Sequence, residues 1–226
     1  LASILSIDGL LSDLQRSFLV SKCETDILIL KNIKESIDGN RSSMLHNAIV
    51  ITHSLMNAGT TDTTFLRENL DWMGKASNWA KFTATASIGV VHSGHTKNSI
   101  ELLQPYLPSN QGVSSSPYSE GGALYALGLI HANRGKSQLQ PAVIELLRDA
   151  IRHAGNSEPL QHGACLGIGL AAMQSGDPQL YNALKTILFF DSAVAGEAAA
   201  YGIGLILAGH GAVSYTHLTL PTILLV

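Results

Sequence analysis

The chain has 226 residues, enough for one large or two small domains. It is 46% hydrophobic and only 14% charged, whereas an average globular domain has about 25% charged residues, so we expect heavy burial. A formal net charge of −3 argues against a nucleic-acid partner, which would need a basic stripe. The apolar stretch 198–211 is shorter than the roughly 20 residues that span a bilayer, so the sequence predicts a buried helix there and no membrane partner.

Two isolated cysteines, Cys23 and Cys165, lack the spacing of a metal site. They are typical of buried free thiols in a reducing compartment, and we expect the cytoplasm and nucleus. The chain begins at Leu1 without a signal peptide and is interpreted as a fragment.

The first 75 residues predict helices that form a short N-terminal rod. One apolar stripe contains Leu10, Leu11, Leu14, Phe18 and Leu19, and a second runs over residues 27–37, which Thr25 or Asp26 could cap. An apolar helix over 44–56 and a more polar one over 62–73 follow. Ala48 and Gly59 weakly echo the later repeats, so this region is interpreted as rod-like with one degenerate repeat.

Four later segments share the pattern Ala-x-x-x-[Ile/Leu]-Gly-[Val/Leu] within residues 76–212. Its alanines are Ala84, Ala123, Ala164 and Ala199, and its glycines are Gly89, Gly128, Gly169 and Gly204. The glycines are 39, 41 and 35 residues apart, a period typical of a helical-repeat array. The pattern predicts an all-α fold of stacked helix pairs, as a superhelix or a toroid segment.

Each repeat predicts an uncharged first helix and a more charged second helix. A helix that is apolar all round is buried all round, and a mid-helix glycine costs about 1 kcal/mol relative to alanine. Four such glycines are understandable only if each missing side chain lets a neighbouring helix pack closely and so offsets the lost helix stability. We therefore predict tight stacking from unit to unit. Second helices are expected over 98–107, 142–154 and 180–190, with a loop over 111–119.

The last 14 residues, 213–226, break the pattern: they carry no charge, are β-prone and contain Pro221. The repeat predicts a charged second helix there. We interpret this tail as aberrant and non-native, from splicing, a frameshift or cloning; an unusual last strand or loop is the alternative.

Several motifs invite a chemical interpretation, and each has a structural alternative that we prefer. Residues 167–172 match the dinucleotide fingerprint G-x-G-x-x-A, but no strand precedes them and the glycines follow the repeat. His92, His95 and His131 lie near helix ends without the cysteines or carboxylates of a metal site. The sequence therefore predicts no cofactor and no metal.

Catalysis by a carboxylate pair is the main enzyme alternative, because some ring-shaped helical proteins process glycosides. Glu120 and Glu197 recur near the starts of first helices, 77 residues apart, and we interpret them as first-turn acids that favour the helix N-terminus. No nucleophile motif accompanies them, so no catalytic residues are predicted. Trp72, Trp79 and Tyr106 are interpreted as packing residues, with partner anchoring as the alternative.

Two blocks, 78–89 (NWAKFTATASIG) and 121–133 (GGALYALGLIHAN), with Leu184-Lys185-Thr186, resemble proteasome/cyclosome repeats. They are most similar to those of the large non-ATPase scaffold subunits of the 26S proteasome regulatory particle base, over about residues 10–212. The resemblance implies a closed α-toroid preceded by a helical rod, which four units alone cannot close. It implies a non-catalytic scaffold in a hetero-oligomeric complex with ATPase and lid subunits for ubiquitin-dependent degradation. A ubiquitin-ligase adaptor and an α-toroid hydrolase are the alternatives.

Overall fold

A computed structural model of the chain describes residues 14–15, 18, 26–37, 43–69, 71–72, 75–108, 116–133, 139–189 and 192–211. Its helices are α1 Ile27–Ile37, α2 Ser43–Met56, α3 Thr64–Glu68, α4 Trp79–Val91, α5 Ser99–Leu103, α6 Pro117–Ile130, α7 Pro141–His153, α8 Glu158–Ala171, α9 Pro178–Leu188 and α10 Ala193–Ile206. Throughout these ranges the regular structure is helical, which confirms the predicted all-α class. The tail 213–226 and Cys23 lie outside the described residues.

The helices rich in small residues form one continuous row. Helices α2, α4, α6, α8 and α10 pack each on the next in chain order. The second helices α7 and α9 lie beside this row, and each packs on the first helix of the following unit, α8 and α10. Each unit thus contacts its neighbours in sequence, which confirms the predicted helical repeat.

The main core lies between the row and the second helices. Ala123, Ala164 and Ala199 are fully buried in it. The residues four positions later, Leu127, Ile168 and Ile203, pack in the same cluster, since such pairs lie on one helix face. Leu147 of α7 and Leu184 of α9 fill it from the other side. A second, smaller cluster joins α1, α2 and α3 around Leu30 and Phe65. Ala84 of the first unit belongs to this smaller cluster instead.

The turns that end the first helices have one shared shape. Three residues after the end of each first helix, one residue has a positive φ: Gly59, Gly94, Asn133, Gln174 and Gly209. The turns donate backbone hydrogen bonds to the end of the next first helix, from Gly94 N to Ile130 O at 3.1 Å and from Gln174 N to Leu205 O at 3.0 Å. These bonds fix the register between neighbouring units.

Several predicted helix ends are found where the sequence placed them. The Asp177 carboxylate accepts from Gln179 N at 2.8 Å and caps α9, and Asp26 accepts from Leu28 N at 2.9 Å before α1. Gly155, with φ of +54°, follows α7, as expected for a left-handed stop.

Three predicted boundaries were wrong. The helix expected over 62–73 is interrupted after Glu68, where the Asn69 side chain donates to Phe65 O at 2.7 Å. The helix expected over 98–107 ends at Leu103, because Pro105 has no N–H to continue the ladder. The loop expected to reach residue 119 ends earlier, since Pro117 starts α6 at the first helical position, which proline favours.

Helix α10 covers most of the apolar stretch 198–211, and it buries Ala198, Ala199 and Ile206. Among the described residues, no helix combines the length and the apolar character that crossing a membrane requires.

Candidate functional surface

Direct backbone contacts between successive first helices occur at the repeat glycines. A Cβ added to Gly89 would lie 2.5 Å from Ala126 Cα, and one added to Gly128 would lie 2.5 Å from Gly167 Cα. The same construction places a Cβ on Gly169 2.6 Å from Gly202 Cα. Real Cβ atoms do not approach backbone this closely, so these three positions hold their helices at a spacing that only glycine permits.

Gly204 differs from the other three repeat glycines. A Cβ added to it would meet nothing within 4 Å. Its place in the repeat matches the others, but no described helix packs on that side of α10. The open face of α10 also carries Tyr201, which is 61% exposed.

The dinucleotide-like motif lies inside helix α8. Gly167 and Gly169 are both buried in mid-helix, and a Cβ on Gly167 would lie 2.5 Å from Leu124 O. A phosphate-binding loop needs free backbone N–H groups between a strand and a helix N-terminus. These glycines instead contact neighbouring helices on both sides of α8.

The three histidines near helix ends bind protein groups. His92 Nδ1 lies 3.0 Å from Ile88 O, His95 Nε2 lies 3.1 Å from Gly59 O, and His131 Nε2 lies 2.8 Å from Ser99 Oγ. No group of three His, Cys, Asp or Glu residues placed to hold a metal ion occurs in the part of the chain that the structure describes. His95 and His131 therefore connect adjacent units, whereas His92 binds a carbonyl at the end of its own helix.

Glu120 and Glu197 do not share a cleft. Glu120 lies in the first turn of α6, whereas Glu197 is the fifth residue of α10 and is exposed, so its predicted first-turn position was wrong. Helix α8 lies between α6 and α10. Packed helix axes are about 8–10 Å apart, so these two axes are about 16–20 Å apart, whereas glycosidase carboxylates are about 5–10 Å apart.

An aromatic cluster at the start of the first helices was not found from the sequence. Trp79 lies at its centre, with ring centroids 5.3 Å from Phe82, 5.4 Å from Tyr118 and 5.4 Å from His162. These residues come from α4, α6 and α8, so the cluster crosses three units. Trp79 remains 38% exposed, which leaves part of the indole available at the surface.

The other two aromatic candidates lie elsewhere. Trp72 is 8% exposed and packs in the smaller cluster, 4.1 Å from the His46 ring, so it serves packing, as predicted. Tyr106 is 38% exposed. It follows α5, near an open groove of about 620 Å³ between α5 and α7 that Glu101, Gln104 and Gln140 help to line.

Cys165 lies in the centre of the row, with no exposed surface. Burial raises the pKa of its thiol to about 12, because desolvation disfavours the thiolate. In a Cys23→Ser background, we expect Cys165 to resist maleimide at pH 7.4 in the native chain and to react fully in urea. Labelling at the rate of a free thiol in the native chain would contradict the described burial of α8.

Stability should fall on mild acidification because two histidines are held neutral. Burial lowers the pKa of His53 against a smaller opposing effect of Asp62, and burial also lowers the pKa of His92. Below the unfolded pKa of about 6.5, the unfolded chain takes up protons that the folded chain refuses, so the free energy of unfolding decreases as pH falls.

Urea unfolding at pH 7.5 and at pH 5.2 measures this effect, in a range where Asp62 stays ionised. His53→Gln should reduce the difference between the two pH values relative to the parent chain. An equal difference in both chains would rule out His53 as a cause.

The fold and the glycine contacts define a class: a closely stacked α-helical repeat protein. The proteasome/cyclosome repeat model matches residues 83–116 and 163–197, so the chain carries repeats of this family. Over most of its length it is also similar to one segment of a 26S proteasome regulatory subunit.

Three proteasome regulatory subunits show the similarity to this chain. The 26S proteasome non-ATPase regulatory subunit 1 homolog A of Arabidopsis thaliana is 51% identical over 209 residues, covering 90% of this chain and 20% of the relative. The 26S proteasome regulatory subunit rpn2 of Schizosaccharomyces pombe is 49% identical, covering 86% of this chain and 19% of the relative. The 26S proteasome non-ATPase regulatory subunit 1 of Drosophila melanogaster is 49% identical, covering 87% and 18%. The chain thus spans about a fifth of the length of these relatives.

Proposed function

We propose that this chain is a segment of a non-catalytic scaffold of the proteasome regulatory particle. In this role it organises ATPase and lid subunits for ubiquitin-dependent protein degradation, in the cytoplasm and nucleus. The relatives are named as non-ATPase regulatory subunits, and a scaffold is the role that such a subunit would have.

One observation carries the proposal: backbone contacts at Gly89, Gly128 and Gly169 recur at the same place in successive units. Contacts between backbone atoms leave little freedom for sliding or rotation, because interiors at this density are not continuously deformable. A row of units held in this way fixes the relative positions of whatever binds its surface. Rigidity of this kind is useful to a scaffold and gives no chemistry to an enzyme.

The same proposal includes a division of the chain into repeat units and a leading segment. Residues 76–212 would form four units of the array, and residues 1–75 would lead into it. Helix α2 contacts α4 as later first helices contact their successors, and the turn after it donates from Gly59 N to Val90 O at 3.1 Å. This contact supports the interpretation that residues 43–61 are the degenerate repeat.

The exposed part of the Trp79 cluster is the proposed anchor for a partner subunit. A large aromatic held by three neighbouring rings can present a fixed apolar surface at low entropic cost, which is typical of interface hot spots. The cluster draws on three units, so its shape depends on their stacking.

Affinity purification of the tagged full-length protein, followed by mass spectrometry, tests the proposal. Recovery of proteasome ATPases and lid subunits supports it. Recovery of ubiquitin-ligase subunits instead favours the adaptor alternative, and recovery of the protein alone, with turnover abolished by Glu120→Gln or Glu197→Gln, favours the enzyme. Trp79→Ala should weaken recovery of one partner group, and Tyr201→Ala should not. Tyr201 is the matched control because it is also an exposed aromatic residue and lies outside the cluster.

A further inference from the structure

The row of first helices has an open face at each end. At α10, Gly204 is exposed, and a Cβ added to it would meet nothing within 4 Å. At α2, Ala48, Thr52 and Leu55 are exposed on one side of the helix. The faces by which α4, α6 and α8 meet one another are buried. Among the described residues, the two end faces therefore lack the contacts that the inner helices have.

The open face of α2 is also apolar. Ile51 is 42% exposed, Leu55 65% and Met44 78%, and their spacings of seven and four residues place all three on one side of the helix. A terminal unit of a repeat array normally carries a polar outer face, which keeps the array soluble. An apolar face in this place is typical of a surface that binds another protein.

The contact between two successive first helices, here called a joint, has the same two halves throughout the row. One helix contributes the repeat glycine, and the next contributes the residue two positions before its own repeat glycine. The pairs are Gly89 with Ala126, Gly128 with Gly167, and Gly169 with Gly202. At the last of these joints, Leu205 follows the repeat glycine of α10 and covers Gly169, with Cδ1 3.3 Å from an added Cβ. This joint thus combines an open glycine with a small residue that has a leucine beside it.

The register of α2 follows from the turn after it. In each later unit the turn residue with positive φ lies five positions after the repeat glycine. Gly59 is the corresponding residue after α2, and its N–H donates to Val90 O at 3.1 Å, as that of Gln174 donates to Leu205 O at 3.0 Å. Ser54 of α2 therefore has the place of a repeat glycine.

The open faces of α10 and α2 are the two halves of one further joint. Counted from the repeat centre, Thr52 has in α2 the place of Gly202 in α10, and Leu55 has the place of Leu205. Both are exposed, so this half is available to a partner. Gly204, with open space beside it, is the other half.

The turn after α10 has the shape that such a joint requires. Gly209 and Gly211 have φ of +79° and +59°, close to the +59° and +60° of Gln174 and Gly176 in the preceding turn. In that preceding turn, both N–H groups donate to carbonyls at the end of the next first helix. Gly209 and Gly211 are exposed, so their N–H groups can donate in the same way to the end of another α2.

We propose that the α10 face of one copy of this chain binds the α2 face of a second copy, so that the row continues from chain to chain. A second copy is the occupant that the observations favour, because both halves of the joint are surfaces of this chain. Leu55 of one copy covers Gly204 of the other. The two surfaces differ, so copies associate head to tail.

This joint is weaker than those inside the chain. Thr52 is larger than the glycine or alanine found at the same place in α6, α8 and α10, so the two helices approach less closely. Association therefore needs concentrated protein, and dilute chains, such as those in a urea titration, remain single.

Sedimentation velocity of the full 226-residue chain tests the inference. The parent should form dimers and larger species as its concentration rises from low to high micromolar. Gly204→Arg blocks only the α10 face and Leu55→Arg only the α2 face, and both positions are exposed in the single chain, so both variants should fold. Each variant alone should stay monomeric. An equimolar mixture should form a 1:1 dimer, since each variant retains the surface that the other lacks.

Phe189→Arg is the matched control for both variants. It replaces an exposed apolar side chain by the same charge outside both faces, and it should associate as the parent does. A parent that stays monomeric at every concentration, self-association of either blocked variant, or no dimer in their mixture would overturn the proposal. The experiment contains no proteasome component, so this inference and the proposed function fail independently.

Discussion

Gly128→Ala is expected to destabilise the chain by up to about 2 kcal/mol, although alanine is the better helix former. The gain in helix propensity is about 1 kcal/mol. Against it, the new Cβ would lie 2.5 Å from Gly167 Cα and 2.7 Å from Gly167 O. These are backbone atoms, which cannot rotate away, so α6 and α8 must separate along their shared surface. Overpacking of this kind typically costs 1–3 kcal/mol, occasionally more.

Gly204→Ala is the matched control for Gly128→Ala. Both glycines occupy the same place in their repeats, but a Cβ on Gly204 meets nothing within 4 Å. The substitution should therefore increase stability by about 1 kcal/mol through helix propensity alone. Urea denaturation of the two variants and the parent measures both effects. Similar shifts for the two variants would refute the claim that close backbone contact, and not the repeat position, determines the effect.

Phe65→Ala is expected to reduce stability by about 3–5 kcal/mol, the range for removing a buried phenylalanine. Phe65 has no exposed surface. Its ring stacks on His53 with centroids 5.1 Å apart and meets Trp72 edge-on at 6.5 Å. Its loss opens a cavity at the centre of the smaller cluster, where α2 and α3 meet.

The damage from Phe65→Ala should stay local, because in a repeat array each unit contacts only its neighbours. Hydrogen exchange should accelerate in α2 and α3 and remain unchanged in α8 and α10. Phe189→Ala is the control, since Phe189 is 70% exposed and should change stability by less than about 0.5 kcal/mol. Uniform loss of protection from α2 to α10 would mean that the two clusters unfold as one unit.

The resemblance to proteasome/cyclosome repeats, the all-α class and the helical repeat were accessible from the sequence. The period of Gly89, Gly128, Gly169 and Gly204 is a strong signal in the sequence, and at the first three glycines it reflects one physical requirement, close contact with the backbone of the next first helix. The second helices were predicted from their amphipathic spacing and from N-cap residues such as Asp177. The weakest predictions were helix ends, where one side chain, such as that of Asn69, decides between continuing and stopping.

The sequence by itself determined which residues are small, which helix faces are apolar and how often the pattern returns, because these depend on composition and spacing along one chain. Only the tertiary structure decided what each small residue touches. It separated Gly204, with open space beside it, from Gly128, which lies against Gly167. It also brought Trp79, Tyr118 and His162 into one cluster. Contacts between units depend on how far one helix is displaced along the next. Turn hydrogen bonds and backbone contacts between residues distant in sequence set that displacement. No single segment of the sequence encodes these contacts.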